Sequence, residues 1–324
     1  MKLQILIPQY KEDDTVIKPL LDSIAIQQSV DFKDIGVIIV NDGSDVFLSD
    51  ELLKSYPFEI LYFKEEHRGV SGTRDSCFNH ATADYVMFCD ADDMFFNACG
   101  IWMIIREIDT GSFDSLISVF IEESRHPITK EVMYINHEMD STFVHGKVHR
   151  RGYLLEKNIR WNPNLTIHED SFFNILCQNL SANVKYCQAP FYLWKWRDES
   201  VCRHDPKYIL KTYRNMLDSN DALIGEFLKR NRPDKAGFYV AFMIFDAYYT
   251  MNKPEWINQK NRTYRADTEK RFGKYFRKYR EIWDSVASQD KMQISNGIRQ
   301  RSVNEGMQME TITIDKWLKK IEKL

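Results

Sequence analysis

Residues 85–93 read YVMFCDADD, and this stretch decides the fold class of the chain. Its five apolar residues run directly into an aspartate-rich cluster, which is typical of a buried strand that ends in a polar turn. Three apolar runs and two helical segments precede it: residues 3–7, 36–40 and 59–63, and residues 15–27 and 71–80. This alternation predicts an α/β fold with a mostly parallel sheet that helices cover on both faces.

Polar residues follow the predicted strands where each strand ends. Glu12 comes soon after the first strand, Asp42 comes after the second, and Asp90 follows the stretch at residues 85–89. Ligands of parallel sheets bind outside the carboxyl ends of the strands. We therefore expect these three clusters to meet in one crevice.

The aspartate cluster itself predicts a cation. Asp90, Asp92 and Asp93 lie within four residues and repel one another unless a positive charge compensates them. Mg²⁺ or Mn²⁺ with oxygen ligands would do so, and diphosphate oxygens would complete its coordination shell. The alternative is an ordinary turn or helix N-cap, where aspartate is common.

Composition narrows the class of protein. The 324 residues carry a net charge of −3, so no global charge attracts the chain to nucleic acid or anionic membrane. The six cysteines form no CxxC pair, which favours reduced thiols in a cytoplasmic protein. The longest apolar run, residues 236–251, is shorter than the about 20 residues of a membrane span and predicts a buried helix.

Four motifs in this region together resemble glycosyltransferase family 2, which has the GT-A fold. They are IPQYKE at residues 7–12, VNDGSD at 40–45, GVSGTRD at 69–75 and DADD at 90–93. GKVHRR at residues 146–151, HED at 168–170 and YLWKWRDESV at 192–201 extend the resemblance. It implies a Rossmann-like GT-A domain over residues 1–203. A mainly helical region, residues 204–324, follows, with an expected role in acceptor binding or oligomerisation.

The resemblance also implies roles for individual residues. Tyr10 would lie near the nucleotide base, Asp42 would accept a hydrogen bond from the base edge, and Asp90 would face the ribose. The complete donor-binding set is Pro8, Tyr10, Glu12, Asp42, Arg74, Asp90 and Lys147. Lys11 and Asp75 depart from the family, which usually has Asn at both positions, and both flank the donor pocket.

The metal and the base follow from the same resemblance. Asp92 would bind Mn²⁺ or Mg²⁺, with His204 as a second ligand. Asp170 is the candidate general base of an inverting transfer, and its neighbour Glu169 is the alternative. Without the resemblance, this acidic pair would indicate only the start of a helix.

Two aromatic features leave alternatives open. Trp194 and Trp196, at alternate strand positions, would form either a stacking platform or part of the core. Residues 253–284 contain ten Lys/Arg and five Asp/Glu, and residues 270–280 interleave basic and aromatic side chains. Such a segment would contact nucleic acid or an anionic membrane, or it is a solvated helix with buried aromatics.

The leading functional hypothesis is transfer of a hexosyl or pentosyl group from a UDP-sugar to an acceptor hydroxyl of a cell-envelope polysaccharide or other glycan. Peripheral membrane contact or a homodimer is compatible with this reading. The alternative acceptor is a hydroxymethylated base in DNA, as in bacteriophage genomes. A non-catalytic nucleotide-sugar-binding protein is less favoured because Asp92 and Asp170 are both present.

Overall fold

The computed structural model describes residues 1–126, 128–198, 207–304 and 312–324. The chain divides into two compact units, Met1–Asp198 and Glu199–Leu324. The described strands all belong to the first unit, and the second unit is helical in its described residues. His204 and Cys202 lie outside the described residues.

The first half of the N-terminal unit is a parallel sheet covered by helices. Its strands and helices are β1 (Leu3–Gln9), α1 (Asp14–Ala25), β2 (Ile35–Asp42), α2 (Asp50–Lys54), β3 (Glu59–Glu65), α3 (Gly69–His80) and β4 (Tyr85–Phe88). The strand order is β3-β2-β1-β4, and the three pairings are all parallel. The predicted α/β architecture is confirmed.

The second half adds mixed pairings to the same sheet. Its elements are β5 (Met94–Phe95), α4 (Gly100–Thr110), β6 (Ser115–Arg125), β7 (Val132–His137), β8 (Lys147–Arg150), α5 (Arg151–Glu156), α6 (Glu169–Leu180) and β9 (Val184–Trp194). The order continues β4-β8-β6-β9-β5, with β7 paired to β6. β8 is antiparallel to both β4 and β6, whereas β6 and β9 are parallel.

Burial explains why the first strands form where the apolar runs predict them. All eight residues of β2 are buried, and six of the seven residues of β1 are buried. Strands buried on both faces read as continuous apolar runs. Helix α1 packs Ile17, Leu20 and Ile24 into the same core, and the Asp13 side chain caps its first turn.

The C-terminal unit consists of seven α-helices in the described residues. They are α7 (Tyr208–Lys229), α8 (Pro233–Met251), α9 (Pro254–Ile257), α10 (Arg262–Lys278), α11 (Arg280–Ser285), α12 (Ser288–Asn304) and α13 (Ile314–Ile321). Helix α8 is buried over most of its length, which confirms the predicted buried helix. Among the described residues, no helix has the length and apolar character needed to cross a membrane.

The aromatic residues of the basic segment face the interior. Phe272, Tyr275, Phe276 and Tyr279 are all buried, whereas most of the basic residues between them are exposed. A surface on which nucleic-acid bases stack needs exposed rings. The segment is therefore a solvated helix whose aromatic side chains contribute to the core.

Candidate active site

The carboxyl ends of β1, β2 and β4 enclose a cleft of about 310 Å³. The clusters predicted to converge do so here. Its lining consists of Pro8, Gln9, Tyr10, Glu12, Asp42, His67, Gly69, Val70, Thr73, Arg74, Asp90, Ala91 and Asp92. Every residue of the predicted donor-binding set except Lys147 lies in this lining, together with the predicted metal ligand Asp92.

Lys147 lies in the interior and is not part of the cleft lining. Its side chain is 1% exposed, and its Nζ donates to the carbonyl oxygen of Phe143 and lies 3.6 Å from Asp140 Oδ1. Burial lowers the pKa of Lys147. A donor-binding role for this lysine stays a prediction, as does metal ligation by His204.

The β2 end of the cleft holds Asp42 in a fixed orientation. Asp42 Oδ1 accepts a hydrogen bond of 2.6 Å from the backbone N–H of Arg68, and Oδ2 lies 2.9 Å from Nδ1 of His67. Gly43 has φ +70°, and a Cβ there would lie 2.6 Å from the backbone nitrogen of His67. Only glycine allows this close approach of the two loops.

Tyr10 and His67 present ring surfaces at the same end. Their centroids are 5.0 Å apart, and the Tyr10 side chain is exposed. Two neighbouring rings beside a fixed carboxylate suit a planar group that offers N–H donors at its edge. The sequence did not predict His67 as a site residue, because His67 belongs to none of the recognised motifs.

Arg74 connects the cleft to the acidic pair on α6. This buried guanidinium donates from Nη2 to Asp90 Oδ1 at 2.7 Å and from Nη1 to Glu169 Oε1 at 2.8 Å. Its Cζ lies 4.9 Å from the centre of the Trp161 ring. Burial opposes ionisation of Asp90, but the opposing interactions, chiefly with Arg74, outweigh it, and the pKa of Asp90 lies below its usual value.

Asp170 differs electrostatically from its neighbour Glu169. Both lie in the first turn of α6, but Glu169 forms the ion pair with Arg74. Asp170 Oδ1 accepts from the backbone N–H of Ser171 at 2.7 Å. Burial, and after it the charge of Glu169, raises the pKa of Asp170 to about 7. A carboxyl group with that pKa accepts protons effectively near neutral pH.

The aspartate cluster places its three carboxylates in different environments. Asp92 Oδ2 accepts from Arg197 Nη1 at 2.8 Å at the cleft. Asp93 is 1% exposed and accepts from the hydroxyl of Tyr192 at 2.5 Å and from the backbone N–H of Lys195 at 3.0 Å. Burial, followed by the charges of Asp92 and Asp90, raises the pKa of Asp93.

Asp90, Asp93 and His145 form a group that could hold a metal ion. One ligand atom from each lies within 4.8 Å of the others. His145 Nδ1 is buried without a hydrogen-bond partner in the described part of the chain, 3.6 Å from Asp93 Oδ2. Burial lowers the pKa of His145 to about 3, so its imidazole is neutral, as ligation requires.

These donors fit the divalent ion that the sequence predicts. Carboxylate oxygens with one imidazole nitrogen suit Mn²⁺, and the oxygens alone suit Mg²⁺. The unpartnered nitrogen of His145 is the most informative feature, because buried polar atoms normally have partners. The sequence did not single out His145 as a ligand.

The two tryptophans separate into different environments. Trp194, the last residue of β9, packs against Phe143 and His145 with ring centroids 5.3 and 5.1 Å apart. Trp196 follows the strand, and its Nε1 donates to Asp198 Oδ1 at 2.9 Å. Trp194 is therefore a packing residue, and the two rings do not share one strand face.

The two departures from the family pattern have structural partners. Asp75 forms a bidentate ion pair with Arg160, with distances of 2.7 and 2.8 Å. Lys11 adopts φ 69°, and its backbone N–H donates to Ser44 Oγ at 3.1 Å. The ion pair between Asp75 and Arg160 therefore links α3 to the segment that contains Trp161.

Sequence comparison identifies the family of the chain. Residues 4–173 match the family model described as Glycosyl transferase family 2. Glycosyltransferase GlyA of Streptococcus pneumoniae is 34% identical over 95 residues, which are 28% of this chain and 13% of GlyA. The minor teichoic acid biosynthesis protein GgaB of Bacillus subtilis is 29% identical over 100 residues, 30% of this chain and 10% of GgaB. The matched segments of the chain thus cover only about a tenth of the length of these curated relatives.

Structural comparison confirms the fold. The crystal structure of S. aureus TarS 1–349 in complex with UDP-GlcNAc has a TM-score of 0.62 at 14% identity and covers 93% of this chain and 92% of that one. The predicted GT-A fold, with its helical C-terminal region, is therefore confirmed. Because the family model covers more than half of the residues, the chain belongs to glycosyltransferase family 2.

Proposed function

We propose that this chain is an inverting glycosyltransferase that moves a sugar from a UDP-sugar to a hydroxyl group of a cell-envelope glycan. Family membership supports the reaction class. The similarity to a protein named for minor teichoic acid biosynthesis supports an envelope acceptor, and the likeness to a UDP-GlcNAc complex supports the donor.

One observation carries the proposal: the donor-side carboxylates and the candidate base are connected through a single buried arginine. Arg74 contacts Asp90 in the cleft lining and Glu169 at the start of α6, next to Asp170. This connection links the cleft proposed to bind the nucleotide to the proposed proton acceptor. Catalysis of transfer depends on such positioning.

The groups proposed at this site account for the bond formed, the bond broken and the proton moved in the transfer step. The acceptor oxygen attacks the anomeric carbon while the bond from that carbon to the β-phosphate oxygen of UDP breaks. Asp170 takes the acceptor proton, and the products are the glycoside and UDP. Attack from the side opposite the leaving group inverts the anomeric configuration, as in inverting glycosidases.

A divalent cation would be held by Asp92 at the cleft or by the group formed by Asp90, Asp93 and His145. It would neutralise the negative charge that grows on the departing diphosphate. Arg197, which contacts Asp92, already contributes a positive charge at this position.

The test is a transfer assay with labelled UDP-sugars and Mn²⁺. Envelope glycan preparations and hydroxymethylcytosine-containing DNA serve as acceptors, with unmodified DNA as the control. We expect label on an envelope glycan, and label on the modified DNA alone would contradict the proposed acceptor. Tight UDP binding without transfer or UDP release would support the non-catalytic alternative instead.

The raised pKa of Asp170 predicts the pH dependence of transfer. A carboxyl group with a pKa of about 7 is protonated below that pH and cannot then accept the acceptor proton. We expect kcat/KM to fall about tenfold per pH unit below about pH 7 and to level off above it. UDP binding, measured by titration over the same range, is the control for a general loss of structure. A rate that stays constant through pH 7 would remove Asp170 from the role.

A further inference from the structure

Helix α10 separates its residues by face. Phe272 and Phe276 point inward and are buried, whereas Lys270, Lys274 and Arg277 are exposed. Residues spaced by four and three positions lie on one side of a helix. The three basic side chains therefore form a row with about one helical turn, 5.4 Å, between neighbours.

Helix α13 packs against α10 beside this row. Its Trp317 ring lies 5.0 Å from the Phe272 ring. Beside it, a Cβ at Gly273 would be 3.3 Å from the carbonyl oxygen of Ile321 and 3.4 Å from the Arg277 guanidinium. The last turn of α13, with exposed Lys319, thus lies beside Arg277.

The exposed basic residues of this row lack the ion pairs that other basic residues nearby form. Several basic residues nearby form ion pairs: Arg271 with Asp218, Lys278 with Asp221, Arg280 with Asp284 and Lys320 with Glu269. In the described part of the chain, Lys270, Lys274, Arg277, Lys319 and Lys323 have no acidic partner within 4.0 Å. We call these five residues the basic surface.

We propose that the basic surface binds a linear polyanion, which, if the proposed function holds, is a phosphodiester-containing acceptor polymer. A row of unpaired charges complements regularly repeated phosphates. Single-stranded nucleic acid would also need exposed rings, and the rings of α10 are buried. An interfacial membrane helix turns its apolar face to the lipid, whereas α10 packs that face into the protein.

Binding at this surface has a kinetic consequence. A polymer held by the protein presents its hydroxyl groups at a high effective concentration, without any additional contact in the cleft. We expect the basic surface to lower KM for long acceptors and to leave UDP release in the absence of acceptor unchanged.

The experiment measures binding of fluorescein-labelled inorganic polyphosphate to the full chain by anisotropy at several salt concentrations. The test variant carries Lys270→Gln, Lys274→Gln and Arg277→Gln, and the charge-matched control carries Lys33→Gln, Lys157→Gln and Lys211→Gln, all at exposed positions. We expect the test variant to bind at least tenfold more weakly, with a salt-dependence slope smaller by about 2. The control should bind like the wild type.

Three results would overturn the proposal: unchanged affinity in the test variant, an equal loss in the control, or a charge-dependent preference for phosphatidylglycerol vesicles over polyphosphate. The last result would identify a membrane surface. UDP release from a UDP-sugar with Mn²⁺ is measured on the same samples. Failure of UDP release in every sample would count against the proposed function and leave the binding result intact.

Discussion

Replacing Asp170 by asparagine is expected to reduce sugar transfer by more than about a hundredfold while UDP-sugar binding stays intact. The asparagine side chain keeps the size of the aspartate but cannot accept the acceptor proton. Asp170 is absent from the lining of the donor cleft, so its loss should not weaken donor binding. Single-turnover transfer and equilibrium UDP-sugar titration separate the two effects.

Glu169→Gln is the matched control for this prediction. Glu169 is ion-paired with the buried Arg74, so its neutral analogue leaves a buried charge without one of its partners. Breaking a buried ion pair costs about 3–5 kcal/mol, and we expect a lower Tm together with a smaller loss of transfer. A mild effect of Asp170→Asn beside a catalytic loss in Glu169→Gln would assign the base to Glu169.

The parallel half of the fold was predictable because three of its four strands, β1, β2 and β4, are buried on both faces. Each of the runs that became β1, β2 and β4 is long enough and apolar enough to stand out in the sequence. β5 and β8 were not predicted. β5 has only two residues, and the four residues of β8 include one apolar side chain, Val148, so neither stands out as an apolar run. Pairing defines both strands: β5 pairs with β9, and β8 pairs with β4 and β6.

The candidate site was predictable to the extent that its residues follow strands directly. Motif order located Asp42 and Asp90, and both line the cleft. The ion pairs of the site join residues that are distant in sequence: Glu169 is 95 residues from Arg74, and Arg197 is 105 residues from Asp92. A single sequence contains no local signal for such contacts, which depend on how the second half of the sheet packs.

The burial of the Lys147 side chain was not predictable from the sequence. Resemblance placed it with the donor-binding residues, but local sequence does not show whether a lysine at a strand start points outward or inward. In the structure its ammonium group is buried and contacts backbone carbonyl oxygens. Burial costs less for a charged group with such partners, so the core tolerates this lysine.

Asp92→Asn is expected to abolish metal-dependent turnover. Asp92 offers its carboxylate at the cleft, where a divalent cation would contact the diphosphate, and an amide oxygen is a much weaker ligand. Mn²⁺ affinity of the protein without donor, measured by electron paramagnetic resonance, is the direct readout, and UDP release is the second. We expect both to be lost while the fold, followed by thermal unfolding, is retained.

His145→Gln distinguishes the two candidate positions of the ion. If Asp92 is the principal ligand, this variant keeps most of its Mn²⁺ affinity, because His145 is buried behind the cleft and does not line it. If instead Mn²⁺ binding is lost in His145→Gln and retained in Asp92→Asn, the ion belongs to the group of Asp90, Asp93 and His145. Asp92 would then serve chiefly as the ion-pair partner of Arg197.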